Sequence, residues 1–321
     1  GGPELKAREA RPKVTGVPGI RHIIAVASGK GGVGKSTTAV NLALGLRAEG
    51  LEAAILDADV YGPSMPRLLG LAGKPQVDGK LIVPMRAYGL KVMSMGFLVE
   101  EGTPVVWRGP MVMSALTQML REVKWGEVDV LVVDMPPGTG DAQLTMAQQV
   151  PLAGAVIVST PQDLALIDAR KGLAMFRQVD VPVLGIVENM SYYLCPSCGV
   201  RSEIFGHGGA RAEADRLGVP FLGEIPLHLE IRESSDRGQP VVAVAPRSAH
   251  ARAAGGSSAR HAMRPGSDSR RRRQAQYSGN RGCGVRDWKR NPGGQCLAAH
   301  WAAARRDLLF LLPSAETFDH G

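Results

Sequence analysis

The stretch Gly29-Lys30-Gly31-Gly32-Val33-Gly34-Lys35-Ser36 decides the fold of this 321-residue chain. It fits the pattern G-x4-G-K-S/T, in which glycines let backbone N–H groups turn inward around phosphate oxygens. The lysine of the pattern reaches the β and γ oxygens, and the hydroxyl serves Mg2+. An apolar run precedes the loop and a helical pattern follows Thr37, as the motif requires; an ordinary glycine-rich turn is the weaker alternative. The loop from Gly29 to Thr37 therefore predicts a binding site for a nucleotide such as ATP.

Short apolar runs alternate with segments of helical spacing on both sides of this loop. The runs cover residues 23–27, 53–56, 128–133, 155–158 and 183–187, and the clearest helical segments are 38–48 and 164–177. Buried strands that alternate with helices are typical of a parallel sheet covered on both faces. We predict an α/β fold with a doubly wound, mostly parallel sheet over residues 21–245, after an N-terminal linker at residues 1–20.

The basic charge is concentrated near the end of the chain. The net charge is +8, but residues 1–250 contain 25 basic and 25 acidic residues, whereas residues 251–321 contain 13 and 5. Glycine, serine and arginine dominate this last part, including the run of four arginines at 270–273, which opposes packing. We predict that residues 246–321 form a disordered or aberrant tail, for which a shifted reading frame is one explanation. Nucleic acid would bind only non-specifically, through this tail.

Composition also indicates the cellular compartment in which the protein works. Four cysteines in 321 residues do not make a disulfide scaffold, which favours a reducing compartment. No apolar run reaches the ~18 residues of a membrane span, so we expect no membrane insertion, and the start lacks a signal-peptide layout. We expect a cytoplasmic protein, with the mitochondrial matrix as the alternative because the chain begins Gly-Gly-Pro without a methionine.

Acidic residues end two of the predicted strands. Asp57 and Asp59 follow the second apolar run, and Asp134 follows the run at 128–133. Ligands of parallel α/β sheets bind at the carboxyl ends of the strands, where an Asp holds Mg2+ through water or orients an attacking water. A single Asp at a strand end is common, but three of them beside a phosphate loop favour a catalytic site.

A cysteine pair, Cys195 and Cys198, predicts a second centre. Two cysteines chelate one metal centre, but a structural zinc or a four-iron cluster needs four ligands. Cys283 and Cys296 are poor candidates because they lie in the tail. A two-fold homodimer would bring two pairs together and complete the ligand set. Four interpretations are open from the residues alone, namely a bridging cluster, a zinc shared by the dimer, a redox dithiol and an inert pair, because ligand identity does not separate iron from zinc.

The phosphate loop resembles that of the deviant Walker A ATPases, the group that contains MinD and the nitrogenase iron protein. Its second lysine, Lys30, is otherwise interpretable as a solvated surface amine. The resemblance implies that Lys30 acts in trans on the nucleotide of a partner subunit, so the active unit is a homodimer. Lys30, Lys35 and Asp59 are then the expected catalytic residues.

The resemblance also implies roles for the residues around the loop. It suggests that Ser36, Asp57 and Asp134 hold Mg2+ and that Asp59 places the attacking water. Gly138 would then offer its N–H to the γ-phosphate. Asn189 is by itself a common turn former, whereas in the related ATPases the Asn at this place reads the adenine edge.

The chain from about residue 20 to 245 closely resembles the Mrp-type iron-sulfur cluster carriers. The matching stretches are Asp59-Val60-Tyr61-Gly62-Pro63-Ser64, Met93-Ser94-Met95-Gly96-Phe97, Trp107-Arg108-Gly109-Pro110, Asp134-Met135-Pro136-Pro137-Gly138-Thr139-Gly140-Asp141, Asn189-Met190-Ser191 and Cys195-Pro196-Ser197-Cys198.

This similarity implies a slow ATP hydrolase that binds a labile [4Fe-4S] cluster between two subunits and delivers it to apo-proteins. We expect the chain to be without the small N-terminal domain of many bacterial members, and we expect its tail to stand in place of the family's closing helix. The alternative function is a partitioning ATPase of the MinD or ParA kind with a shared structural zinc.

Overall fold

A computed structural model of the chain describes residues 16–60, 62–98, 109–195 and 198–255. Its strands are β1 (Ile20–Ala27), β2 (Ala53–Asp57), β3 (Val77–Asp78), β4 (Leu81–Ile82), β5 (Met85–Ala87), β6 (Leu90–Ser94), β7 (Val128–Asp134), β8 (Gly154–Ser159), β9 (Val183–Leu194), β10 (Arg201–Ser202) and β11 (Phe221–Leu227). Its helices are α1 (Lys35–Ala48), α2 (Met65–Leu68), α3 (Gly109–Arg121), α4 (Asp141–Gln149), α5 (Asp163–Gln178), α6 (Gly209–Leu217), α7 (Leu229–Asp236), α8 (Val241–Val244) and α9 (Ala249–Gly255), with a 3-10 turn at Met95–Phe97.

The strands form a mostly parallel sheet in the order β10-β9-β8-β1-β7-β2-β6-β5, with β11 also paired to β9. Only the pairings of β5 and β10, two short outer strands, are antiparallel in this sheet. β1 lies between β7 and β8, so the loop that follows β1 opens at the centre of the carboxyl edge. The predicted α/β fold with a mostly parallel sheet is confirmed.

Apolar strand residues explain why the sheet is covered on both faces. Every residue of β2, β7 and β8 is buried, which requires helices on the two faces rather than one solvated face. Ile24, Ile55 and Leu131 on three adjacent strands have no exposed surface, and they form the centre of the core. In the part of the chain that the structure describes, no helix is long and apolar enough to cross a membrane.

The packed unit continues past the predicted boundary at residue 245. Helix α9 contacts α1 and β11, and its Ala251 is fully buried while Ala254 is 8% exposed. Two small side chains on one face of this helix allow close packing against the core. The boundary at 245 is therefore too early, and the unit includes residues up to at least 255. Residues 1–15 of the predicted linker at 1–20, and residues 256–321 of the predicted tail, lie outside the described residues.

Strand β9 is longer than its apolar run predicts. The run at 183–187 is only its first part, and the strand continues to Leu194. The extension has two partners, since β11 runs parallel to it as far as Tyr193 and β10 pairs antiparallel with Tyr193 and Leu194. One strand thus leads from the main sheet to the cysteine pair.

Candidate nucleotide site and cysteine hairpin

The loop between β1 and α1 has a backbone that glycine makes possible. Gly32 and Gly34 both have φ of 79°, in the left-handed region that L residues with a Cβ avoid. A Cβ on Gly34 would also lie 2.2 Å from the side-chain nitrogen of Asn189. The hydroxyl of Ser28 donates to the carbonyl of Lys30 at 2.8 Å and closes the start of the loop. The glycines of the motif thus meet both a backbone and a packing requirement.

Lys35 and Ser36, at the start of α1, converge on Asp134 at the end of β7. The Nζ of Lys35 donates to Oδ1 of Asp134 at 2.6 Å, and Oγ of Ser36 donates to Oδ2 at 2.5 Å. Asp134 is fully buried, and this burial raises its pKa, whereas Lys35 and the Ser36 hydroxyl act in the opposite direction. The structure therefore brings together three of the residues that the sequence assigned to phosphate and Mg2+.

Asp57 lies beside Asp134 in the sheet register but is held differently. Its carboxyl group accepts hydrogen bonds from the backbone N–H groups of Asp59, Ser64 and Met65 and from the hydroxyl of Ser94. Burial and the neighbouring carboxyl of Asp134 raise the pKa of Asp57 to about 7. Asp57 thus orders the loop after β2, and its predicted role as a direct Mg2+ neighbour stays a prediction.

Asp59 faces the phosphate loop from this ordered segment. Its Oδ2 lies 3.6 Å from Nζ of Lys35. Its Oδ1 and the Oγ of Ser64 are buried atoms with no hydrogen-bond partner among the described residues. Unpartnered buried oxygens are rare in native proteins, and here both residues line the cavity beside the loop. A water, a cation or a polar ligand in that cavity would satisfy them.

Two cavities adjoin at the loop. The first, about 260 Å3, lies along the phosphate loop and is lined on its other side by Asp59, Ser64 and Pro137. The second, about 250 Å3, shares Gly34, Thr37 and Leu68 with the first. The lining of the second cavity continues through Asn41, Asn189, Met190, residues 225–228, Ile231, Arg232, Ser235, Asp236 and Ala254. Together they offer a polar end for phosphates and a more apolar end for a base.

Most of the second cavity was missed by the sequence analysis. Its wall consists of the end of β11 and helix α7, which reach the loop only because β11 pairs with β9. Of the residues that line this cavity, Gly34, Thr37 and Asn189 were predicted, and none of those on β11 or α7 was. No local motif in residues 225–236 indicates a ligand, so sequence spacing gave no signal for these residues.

Three predicted site groups make contacts within the protein itself. Lys30 donates to Oε1 of Gln162 at 3.3 Å, at the start of α5. The N–H of Gly138 donates to the carbonyl of Ser28 at 2.9 Å. Asn189 donates from Nδ2 to the carbonyl of Val33 at 2.8 Å. All three lie around the loop, while the roles of Lys30 in trans, of Gly138 at the γ-phosphate and of Asn189 at adenine stay predictions.

The cysteine pair lies in the turn between β9 and β10. The N–H of Cys195 donates to the carbonyl of Val200 at 3.0 Å, and the N–H of Gly199 donates to the carbonyl of Cys195 at 2.8 Å. Cys195 is half-buried, Cys198 is exposed, and neither is in a disulfide. The two thiols thus occupy a tight surface turn rather than the core.

Aromatic and charged groups fix the base of this hairpin. The guanidinium carbon of Arg201 lies 3.9 Å from the centre of the Tyr192 ring, a cation–π geometry. Nη2 of Arg201 also lies 3.4 Å from Oε2 of Glu224 on β11. Arg201 therefore links both strands of the hairpin to the neighbouring strand of the main sheet. The sequence analysis did not identify these three residues.

A mostly parallel sheet with this loop and these carboxylates at its carboxyl edge defines a P-loop NTPase. Residues 19–259 match the family described as "ParA: NUBPL iron-transfer P-loop NTPase", and the chain belongs to that family. The predicted membership is therefore confirmed.

Individual relatives agree with this assignment. The chain is 58% identical over 245 residues to the iron-sulfur cluster transfer protein NUBPL of Mus musculus, covering 75% of this chain and 77% of the mouse protein. Among solved structures, the nucleotide-binding protein of Archaeoglobus fulgidus in complex with ADP is 43% identical with a TM-score of 0.62, covering 68% of this chain and 87% of that protein. The cell division ATPase MinD of Pyrococcus furiosus, at 23% identity and a TM-score of 0.53 over 73% of this chain and 95% of MinD, shows the shared fold alone.

Proposed function

We propose that the chain is an ATP-dependent iron-sulfur cluster carrier that works as a homodimer. It binds and slowly hydrolyses Mg-ATP at the loop 29–37, holds a labile [4Fe-4S] cluster between two subunits, and delivers the cluster to apo-proteins. The observation that carries the proposal is that one strand, β9, bears Asn189 at the nucleotide cavity and ends at Leu194, directly before Cys195. The names of the family and of the mouse relative support the choice of cargo.

The ATP chemistry follows from the charges at the loop. When triphosphate enters the first cavity, Lys35 exchanges its ion pair with Asp134 for the β and γ oxygens, where its charge stabilises the transition state. Asp59 accepts a hydrogen bond from the attacking water. Lys30 leaves Gln162 and reaches the nucleotide of the partner subunit, so hydrolysis requires two chains.

Mg2+ fits the same place by the chemistry of its ligands. Mg2+ prefers oxygen ligands and keeps several waters. The loop supplies the hydroxyl of Ser36 and the end of β7 supplies the carboxylate of Asp134, with the unpartnered Oδ1 of Asp59 nearby. Bound there, it would neutralise charge that develops on the phosphate oxygens. Its positive charge would also favour the ionised form of the buried carboxyls, whose pKa is otherwise raised.

The cargo requires four ligands, and one chain offers two. Cys195 and Cys198 of two subunits supply four thiolates when their hairpins meet at a two-fold axis. Delivery is then ligand exchange, since each iron–thiolate bond that breaks is replaced by one to a thiolate of the acceptor. An exposed Cys198 suits this exchange because the acceptor must approach the iron. The partitioning alternative loses support because it assigns no cargo to the pair.

Anaerobic reconstitution tests the proposal. The wild-type chain should bind about four iron and four sulfide per dimer and pass them to an apo-acceptor. Cys195→Ala and Cys198→Ala each leave two thiolates per dimer, so the cluster should be lost while ATP binding persists. The matched control is Ser202→Ala on β10, which keeps both thiolates. Zinc at one per dimer without sulfide would favour the structural-zinc alternative, and a cluster that forms but never leaves would contradict the carrier role.

A further inference from the structure

Strand β9 connects the two proposed sites directly. Asn189 donates to Val33 of the phosphate loop, and its side chain fills the space that Gly34 leaves without a Cβ. The cysteine turn begins at Cys195, six positions further along the same chain segment. A shift in the backbone between residues 189 and 195 would therefore move the cysteines relative to the loop.

The residue next to Asn189 has an unusual backbone. Met190 has φ of 55°, in the left-handed region that is disfavoured for residues with a Cβ. Among the described residues only Tyr88 and Asp180 share this property without being glycine, and both lie between elements, whereas Met190 lies inside a strand. Strained residues of this kind persist where the surrounding structure holds them, and they are common at functional sites. The strain at Met190 therefore points to a role between the two candidate sites.

The strain coincides with a bulge in the pairing of β9 with β11. Asn189 pairs with Ile225 and Tyr193 pairs with Leu227, so four steps along β9 match two steps along β11. Extra residues in one strand bend it and re-aim the side chains that follow. The bulge at Met190 therefore sets the direction in which the cysteine hairpin leaves the sheet.

Buried hydrogen bonds hold the bulge from both sides. The hydroxyl of Ser191 donates to Oε1 of Glu188 at 2.6 Å, and the N–H of Ala210 donates to Oε2 at 2.7 Å. Glu188 is fully buried, so these bonds tie residues before and after Met190 to each other and to helix α6. Beyond the bulge, Tyr192 packs against Arg201, so the hairpin follows any movement of this segment.

We propose that Met190 is the positioning residue that couples the nucleotide loop to the cysteine hairpin. Met190 lines the second cavity, and its disfavoured backbone keeps a second, extended conformation within reach. A nucleotide in this cavity favours one of the two backbone conformations of Met190 over the other, and a change between them moves the cysteines. The inference rests on the proposed function for the identity of the nucleotide. It does not depend on a bound cluster, because it concerns only the position of the cysteine thiols.

The reactivity of Cys198 measures this coupling without a cluster. The full reduced chain is treated with a maleimide with and without Mg2+ and a saturating non-hydrolysable ATP analogue, and modification of Cys198 is quantified by peptide mass spectrometry. We expect the analogue to change the wild-type rate by about fivefold or more. Saturation removes effects on nucleotide affinity, which is measured separately with a fluorescent analogue.

Substitutions at position 190 then separate backbone from side chain. Met190→Gly and Met190→Asn adopt the left-handed conformation at low cost, so the bulge persists with or without nucleotide and the rate ratio should fall to within about twofold of one. Met190→Leu keeps the size and the strain and should retain the wild-type ratio. If the glycine variant does not fold, the asparagine variant decides.

Three results would overturn the inference. The first is a wild-type rate that does not respond although the analogue binds, and the second is a wild-type ratio in both Met190→Gly and Met190→Asn. The third is loss of the response in Met190→Leu. Failure of the wild-type chain to bind the analogue would instead overturn the proposed function, and the inference with it.

Discussion

At the scale of single residues, Lys35 is the charge on which the phosphate site depends. It lies between Asp134 at 2.6 Å and Asp59 at 3.6 Å, and only 6% of its side chain is exposed. The two carboxylates compensate the buried positive charge of Lys35, and a bound triphosphate would compete with them for it. Lys35 therefore determines both the resting charge balance of the site and the binding of the γ-phosphate.

Lys35→Ala should reduce ATP hydrolysis by about 10²-fold or more, since it removes positive charge where negative charge develops in the transition state. Phosphate release from Mg-ATP is the measurement. Lys80→Ala, in the exposed turn between β3 and β4, is the matched control and should hydrolyse ATP at the wild-type rate. ATP hydrolysis at the wild-type rate by Lys35→Ala would contradict the assignment of the loop to the catalytic site.

Mixing two variants tests whether Lys30 acts on the nucleotide of the partner subunit. Lys30→Ala alone should lower turnover while retaining nucleotide binding. In a mixed dimer with Lys35→Ala, one site combines an intact Lys35 with the partner's intact Lys30. An equal mixture of the two impaired variants should therefore reach at least about a quarter of the wild-type rate, because half of the dimers are mixed and each has one complete site.

The same mixture gives a clear negative result. If Lys30 acts on the nucleotide of its own subunit, no mixed site is complete, and the mixture stays at the mean of the two variants. A Lys30→Ala variant that hydrolyses ATP at the wild-type rate would contradict the assignment in either form.

At this scale the sequence predicts a functional group correctly when the residues that act together are adjacent along the chain. The loop 29–37 was predictable because its turn, its charge and its hydroxyl are adjacent in sequence. The partners of these groups were not: that Lys30 contacts Gln162 and that Gly138 donates to Ser28 depends on how separate elements meet. Spacing alone contains no information about such contacts.

At the scale of elements, the apolar runs predicted strands well and their ends poorly. β2 and β7 match their runs within one residue because both are buried along their full length. β9 extends seven residues beyond its run, since its second half is held by Glu188, Ser191 and Tyr192 rather than by continuous burial. The second cavity was also missed, because β11 reaches it through pairing with β9 and not through any pattern in its own sequence.

Helix α9 provides an element-scale test of where the packed unit ends. Ala251→Asp introduces an unpaired charge at a fully buried position and should lower the free energy of unfolding by about 3 kcal/mol. Ala253→Asp, on the same helix at a half-buried position, should have a much smaller effect. Urea denaturation of both variants is the measurement. Equal stability of the two would place α9 outside the cooperative unit.

At the scale of the whole molecule, charge separates the domain from its last segment. Residues 1–250 are balanced in formal charge, and the surplus of +8 belongs to residues 251–321. Deleting residues 256–321 should therefore abolish non-specific DNA binding at low salt while ATP hydrolysis persists. The measurements are fluorescence anisotropy with a DNA duplex and phosphate release. DNA binding that survives the deletion would favour the partitioning alternative.

The continuous course of β9 also restricts how such a sequence can change over generations. Side chains of a strand alternate between its faces, so one residue inserted between Ser191 and Leu194 would turn everything after it to the opposite face. Two inserted residues would restore the facing but lengthen the arm by about 7 Å. Lineages that retain both functions should therefore tolerate length variation in the turn after Cys198 and almost none between Asn189 and Cys195.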